Sequence, residues 1–528
     1  MKTINSKSFF WITSLAALIF NLLYWNQFEG ISFPLTVFAV IGIGFLLAKL
    51  ERIKIANSTY WLLLPIAFFS IFNLFRLEPM TQFLNHVIVL ILMILLANSL
   101  QSGLWWKYGF IDYLSSFIGV FISAISKPFS FFLNDENKEN SKSNKKSVLR
   151  RLFSGLLIAL PILLIFSFLF SQADAVFSAN FENLFEFLRD FNMGDLIGRL
   201  IFISFFTFIF LGIFLHAFSK NHDQELSNDK DKKGLLGFVE TLVVQISVIL
   251  LFLSFVFIQF KYFFGGDTNI DFTGYTYAEY ARRGFDELVF TTVLTVALVI
   301  LISFFNKADN KNQKITIKAL SSLLISLDFV LLFSALKRLE LYESAYGFSR
   351  VRTYTHVFII CLGIFLLIII ALDWLKKQKF YAFSVMVFSM VFIASLNILN
   401  VDKLITNKNI NHYMDGNQFD YIYIASLSPD VVKPLTEAYV DHPDENINKA
   451  IICHALRNET YSYGDRDYID HSWASFHFSR ASATSSWSEW LGNQSMDIQS
   501  QFDGKTSYKE INDILEDLEF NCYETYID

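Results

Sequence analysis

"GYTYAEYARRGFDEL", Gly274–Leu288, runs without a break into "VFTTVLTVALVILISFF", Val289–Phe305. Charge gives way to a purely apolar run, and the join is where a helix enters a membrane. Thr276 and Glu279 have the spacing of a capping box, with Tyr275 and Tyr280 placed for the accompanying hydrophobic staple. Glu279–Arg283, Arg282–Asp286 and Arg283–Glu287 are each four residues apart, so they stack along adjoining helical faces. The spacing predicts a helix that starts outside the hydrocarbon and threads inward, its charges offsetting one another through the interface.

Runs of the same kind recur outward from this one. The chain of 528 residues is 53% hydrophobic, only 17% charged, and holds 60 Phe. About twenty apolar residues cross the hydrocarbon as a helix. Eleven stretches qualify: Phe9–Trp25, Ile31–Leu50, Tyr60–Phe75, Phe83–Ser102, Leu152–Phe170, Leu196–Phe218, Leu235–Tyr262, Phe285–Phe305, Ala319–Leu339, Val351–Leu375 and Phe380–Leu399. The third is short. Ile111–Ile125 carries Asp, Ser and Gly and reads as an interfacial helix. Val176–Phe191 is also amphipathic.

Lys and Arg collect after the second, fourth, sixth, eighth and tenth spans, as in Lys49, Arg52 and Lys54, or Lys376, Lys377 and Lys379. Basic connections stay inside, so the expected fold class is an all-α polytopic membrane protein of about eleven transmembrane helices, N-in and C-out, with a mainly helical extracytoplasmic C-terminal domain. From Val401 the chain carries 9 basic and 22 acidic residues, a net of −13 against −6 overall, which leaves +7 for the first 400. The expected divisions are residues 1–133, with four membrane helices and the interfacial helix; 134–149, a disordered basic cytoplasmic loop; 150–400, with the remaining spans; and 401–528, the acidic domain. "PDVVKPLTEAYV" and "SYKEINDILEDLEF" in that domain have helical spacing. No small-x-small cleavage site precedes "NQFEG", so the first span is expected to stay as a helix. An oxidising exterior permits a disulfide between Cys453 and Cys522, but spacing leaves their pairing open.

Two groups of residues invite a functional reading. Lys337, Arg338, Arg350 and Arg352 lie in "LKRLELYESAYGFSRVRTYTH", on the same side as Glu279, Arg282, Arg283, Asp286 and Glu287. Gly347 is placed to end one helix and Ser349 to cap the next. Together they form either an outward anion site, because Arg offers paired donors to phosphate or carboxylate, or a structural ion-pair lattice that docks the acidic tail. Asp328, mid-span in "SSLLISLDFVLLFSALKR", is costly in lipid and marks a pathway, a proton-linked role or a packing lock. His86 and His216 read as packed or interfacial histidines. "DRDYIDHSWASFHFSR" gathers Asp465, Asp467, Asp470, His471, His477 and Arg480 without metal-ligand spacing, so it reads as solvated surface charge. No metal and no cofactor are expected.

"YTYAEYARRGFDEL" resembles the signature of a bacterial multi-pass membrane protein family of unknown function, the DUF4173 type. "QADAVF" at Gln172–Phe177, "LYESAYGFSRVRTYT" and "FDYIYIASLSPDVVKPL" at Phe419–Leu435 are similar to other segments of it. The likeness spans roughly Leu152 to Arg480. In "WASFHFSR", Ala474 and His477 stand where the family run has Arg and Asn. The resemblance implies a bacterial cytoplasmic membrane location and supplies no activity.

The leading expectation is a non-enzymatic envelope sensor or scaffold whose outward Arg-rich cluster docks the acidic domain or an anionic ligand. Membrane lipids and an anionic lipid or envelope ligand are the expected partners, with no nucleic acid. A transporter or channel using Asp328 and the Arg cluster is the second reading. A transferase acting on lipid-linked sugars is the third, and the short first outer loop, "NQFEG" with Glu29, argues against it.

Overall fold

The computed structural model describes residues 6–135, 163, 166–167, 170, 173–174, 194–219, 236–264, 285–307, 310–457, 473–493 and 522. Apolar length decides most of the architecture. Helices α1 (Ser6–Tyr24), α2 (Ser32–Leu50), α3 (Leu63–Phe72), α4 (Pro79–Ser99), α5 (Phe110–Asp135) and α6 (Gly194–Ala217) form a first bundle. Helices α7 (Phe238–Phe264), α8 (Phe285–Phe305), α9 (Lys311–Tyr346) and α10 (Arg350–Trp374) form a second. Between them lies α11 (Tyr381–Leu399), which gives Met386 and Ile393 to the first core, Tyr381 to the second and Leu396 to that of the tail. Asn85 of α4 and Asn397 of α11 exchange amide hydrogen bonds of 2.9 and 2.7 Å, a buried polar stitch between bundle and joining helix.

Among the described residues ten helices are long and apolar enough to cross a membrane. Nine coincide with expected spans, and their outward faces are too apolar for water: Trp11 is 70% and Phe257 76% exposed. The chain is a multi-pass helical membrane protein. The expected third span is short, a helical stretch over Asn57–Phe72. The expected fifth span lies almost wholly outside the described residues, as do Val176–Phe191 and "SYKEINDILEDLEF". Helix α9 has 36 residues, about 54 Å at 1.5 Å per residue, so it outreaches a hydrocarbon layer of about 30 Å.

The tenth candidate, Phe110–Phe131, is the segment expected to be interfacial. Helix α5 is longer than expected, running through Pro128 to Asp135 and so two residues into the expected loop. Its polar partners share one level. Tyr113 donates to Trp105 O, Ser123 meets His216, and Lys127 meets Ser219. Trp105 follows the C-terminal end of α4, and the other two lie at that of α6, where His216 also reaches Asn98.

Two faces can be told apart by what is bonded to what. On one, the α2–α3 and α4–α5 connections meet through Ala56 N to Leu100 O, Gln101 reaches Ala217 O, and Trp106 stacks on Phe380. The same face holds the parallel bridge of Leu236 to Asn306 and the Lys318–Asp373 contact. Exposed Arg52, Lys54, Lys307, Lys376 and Lys377 crowd it, and we call it the basic face.

The other face carries the tail: α12 (Val401–Met414), α13 (Tyr421–Ala425), α14 (Val432–Asp441), α15 (Glu445–Arg457) and α16 (Phe478–Gly492). These pack around Ile405, Leu435, Ile451 and Trp490. Cys453 and Cys522 are joined in a buried disulfide inside that core, which answers the pairing that spacing left open. Only Asn400 separates α11 from α12. It is left-handed (φ 50°), and its side chain accepts from Lys403 N.

Candidate functional site

The tail is fastened to the membrane helices at two places. The first grows from a helix start. Gly347 (φ 73°) ends α9 as expected, and Ser349 takes the N-cap position of α10. The Ser349 side chain caps nothing, however. The free amide of Arg350 donates instead to the Tyr423 hydroxyl of the tail, 2.8 Å away. Burial pushes that phenol up, so it stays neutral.

The Arg350 guanidinium grips Asp402 with both prongs, Nε to Oδ1 at 2.8 Å and Nη2 to Oδ2 at 2.6 Å. Asp402 is fully buried and accepts a further bond from Ser428 N at 2.8 Å. Glu78 approaches from the far end of the sequence, 3.9 Å from Arg350 Nε. It also caps α4 by accepting from Met80 N and Thr81 N, and it accepts a hydrogen bond from the Tyr354 hydroxyl. One arginine thus answers two buried carboxylates from two separate parts of the chain. Such bidentate, charge-assisted bonds are the strong ones.

The second place is a strap, Trp473–Arg480, laid across the α1–α2 and α3–α4 connections. Ile31 N donates to Phe476 O (2.9 Å), Phe478 N to Leu74 O (3.1 Å) and Phe28 N to Ser475 Oγ (3.0 Å). Phe478 stacks on Phe75 with ring centroids 4.6 Å apart. Gly30 makes this approach possible, because a Cβ there would collide with the Phe476 carbonyl. Arg480 donates to Glu29 O and lies over the Phe28 ring. Beneath the strap the Glu29 carboxylate accepts from His86 and from Asn73 Nδ2. His477 bonds Asn73 O at 2.9 Å and is 2% exposed; burial holds its pKa down to about 4.

The strap corrects one expectation. His477 and Arg480 are not solvated surface charge but part of a docked interface, while 458–472, with Asp465, Asp467, Asp470 and His471, lies outside the described residues. Among the described residues no group of His, Cys, Asp and Glu could hold a metal. His216, 4% exposed between Ser123 and Asn98, is packed as expected.

The described members of the expected basic cluster make separate contacts. Arg352 donates to Tyr346 O and Gly347 O and lies 3.9 Å over the Tyr342 ring, closing the end of α9. Lys337 pairs with Glu340 at the surface, whereas Arg338 is buried. Asp286 and Glu287 are exposed in the first turn of α8. Glu279, Arg282, Arg283 and the capping box of the opening motif lie outside the described residues. Asp328 is fully buried midway along α9.

The family model that matches is Domain of unknown function (DUF4153), over residues 63–438. The chain belongs to this family. The DUF4153 match begins in α3 and ends in α14, so it takes in Glu78, Asp328, Arg350 and Asp402 and stops short of the strap. The motif resemblance pointed to DUF4173; a domain of unknown function over most of a multi-pass chain is what the two descriptions share. No curated protein matches the chain, and no solved structure does.

Proposed function

We propose that this DUF4153 chain is an integral scaffold or sensor of the bacterial cytoplasmic membrane, with its acidic tail clamped over the outer face. The single observation that carries the reading is the Arg350 grip on Asp402, backed by Glu78. An arginine bound in this way is committed to the tail, which favours docking over an open anion site. Orientation draws support from the basic face, which lies opposite the tail, since basic connections stay inside. The Cys453–Cys522 disulfide favours an oxidising compartment for the tail. The level contacts of α5 favour an interfacial helix on the inner side rather than a span.

The transport reading loses Arg350 and rests on Asp328. The transferase reading has only Glu29 in the first outer loop, and the strap covers it.

The test is side-specific labelling in intact cells with a membrane-impermeant maleimide. Glu437→Cys on the exposed flank of α14 should label from outside, and Lys377→Cys only after permeabilisation. The native cysteines stay silent, Cys361 by burial and the others by their disulfide. The reverse pattern would abolish the reading.

A further inference from the structure

A second buried charge site lies deep between α8 and α9. Asp328 has no exposed surface, and neither carboxyl oxygen has a hydrogen-bond partner among the described residues. The Thr295 hydroxyl of α8 lies nearby, 3.0 Å from Thr291 O, to which it can donate.

Among the described residues no cation answers the acid. The nearest charged groups along α9 are Lys337, nine residues away, and Lys318 and Arg338, ten residues away, roughly 14–15 Å along the helix. Of the helices packed on α9, α7 carries Glu240 in its first turn and Lys261 in its last, and α8 carries Asp286 and Glu287 in its first; α10 carries Arg350, Arg352 and His356 toward one end and Asp373 at the other. Among the described side chains, none of these reaches the level of Asp328. A bare carboxylate there would meet the full cost of a charge in hydrocarbon. The position is not an isolated polar accident. Seven residues earlier on the same face of α9, Ser321 accepts from Gln245 Nε2 at 2.8 Å, and Gln245 Oε1 has no partner among the described residues. Gln245 and Ser321 lie on the side of Asp328 toward the basic face.

We infer that Asp328 is a proton-binding site within the membrane: a neutral carboxylic acid held between α8 and α9. The inference stands apart from the docked tail and holds whichever way the tail faces.

The test uses the full chain in proteoliposomes with the lipid-soluble reagent dicyclohexylcarbodiimide. The acid proton passes to a carbodiimide nitrogen while the carboxyl oxygen adds to the central carbon. The resulting O-acylisourea rearranges to a stable N-acylurea, read by peptide mass spectrometry. At about pH 7 an ordinary exposed carboxyl is protonated in roughly one molecule in a thousand. Asp328 should therefore label on the order of a hundredfold faster than the exposed tail carboxyls, and the adduct should vanish in Asp328→Asn. That variant, a neutral isostere, should keep its folded yield and melting behaviour. An Asp328 labelled no faster than the tail carboxyls would overturn the inference. So would loss of folded protein in Asp328→Asn, because it would mean that an ionised acid is held by a cation.

Discussion

The two fastenings of the tail hold by opposite means. At Arg350 a single guanidinium serves two buried carboxylates from distant segments, and almost all the attraction is charge. At the strap the attraction is fit: backbone bonds, stacked rings and the gap that Gly30 leaves for Phe476 O. A charge clamp fails abruptly, because the partner left behind is stranded. A fitted strap weakens by degrees, with shape and with the protonation of what lies under it.

Arg350→Ala should be the most damaging change. It leaves Asp402 and Glu78 buried without a cation, and breaking a buried pair costs about 3–5 kcal/mol. The tail should then be digested by protease before the membrane helices unfold. Asp402→Ala should cost less, since Arg350 keeps Glu78 nearby. Equal losses in the two variants would show that the guanidinium is not shared.

Mild acid should weaken the strap through His477. Below the ordinary value of 6.5 the unfolded chain takes up a proton at His477 that the folded strap refuses until about pH 4. Stability is therefore complete above pH 6.5 and falls as pH drops across that window, by at most roughly 3 kcal/mol. His477→Gln should flatten this part of a melting-temperature profile, and an unchanged slope would remove His477 from the account.

Gly30→Ala should cost about 1–3 kcal/mol, the usual range for forcing an extra group into a filled space. The loss should appear as faster hydrogen exchange at Ile31 and Phe478. A neutral result would mean that the two backbones can separate freely. Lys337→Ala, which removes a surface pair, should shift stability by less than about 1 kcal/mol. An effect as large as that of Arg350→Ala would restore the wide basic cluster as one functional unit.

The difference between the fastenings also separates what a sequence reader can see from what stays hidden. Spans were legible because twenty apolar residues have few other uses. Arg350 was legible as a cation near a helix start, and Gly347 as a helix end. The partners were not. Glu78 comes from the α3–α4 connection and Asp402 from the first turn of α12, and no local spacing ties either to Arg350. Ser349 has the right residue type for a cap, yet Tyr423, more than seventy positions away, supplies the bond. The strap gave a misleading signal: a run with Asp, His and Arg looks like wet surface, and only packing shows that His477 is buried. The Asn85–Asn397 stitch left no trace in any motif, because two lone amides in apolar runs look like interruptions.

Asn400 turns this architecture into a lever. One residue joins the last apolar helix to the first helix of the cap, so the joint has no slack to absorb rotation. A thinner or thicker bilayer changes helix tilt, and any tilt of α11 must swing α12 and load both fastenings at once. Protease resistance of the cap should therefore depend on the acyl length of the surrounding lipid, and inserting glycines beside Asn400 should uncouple the two.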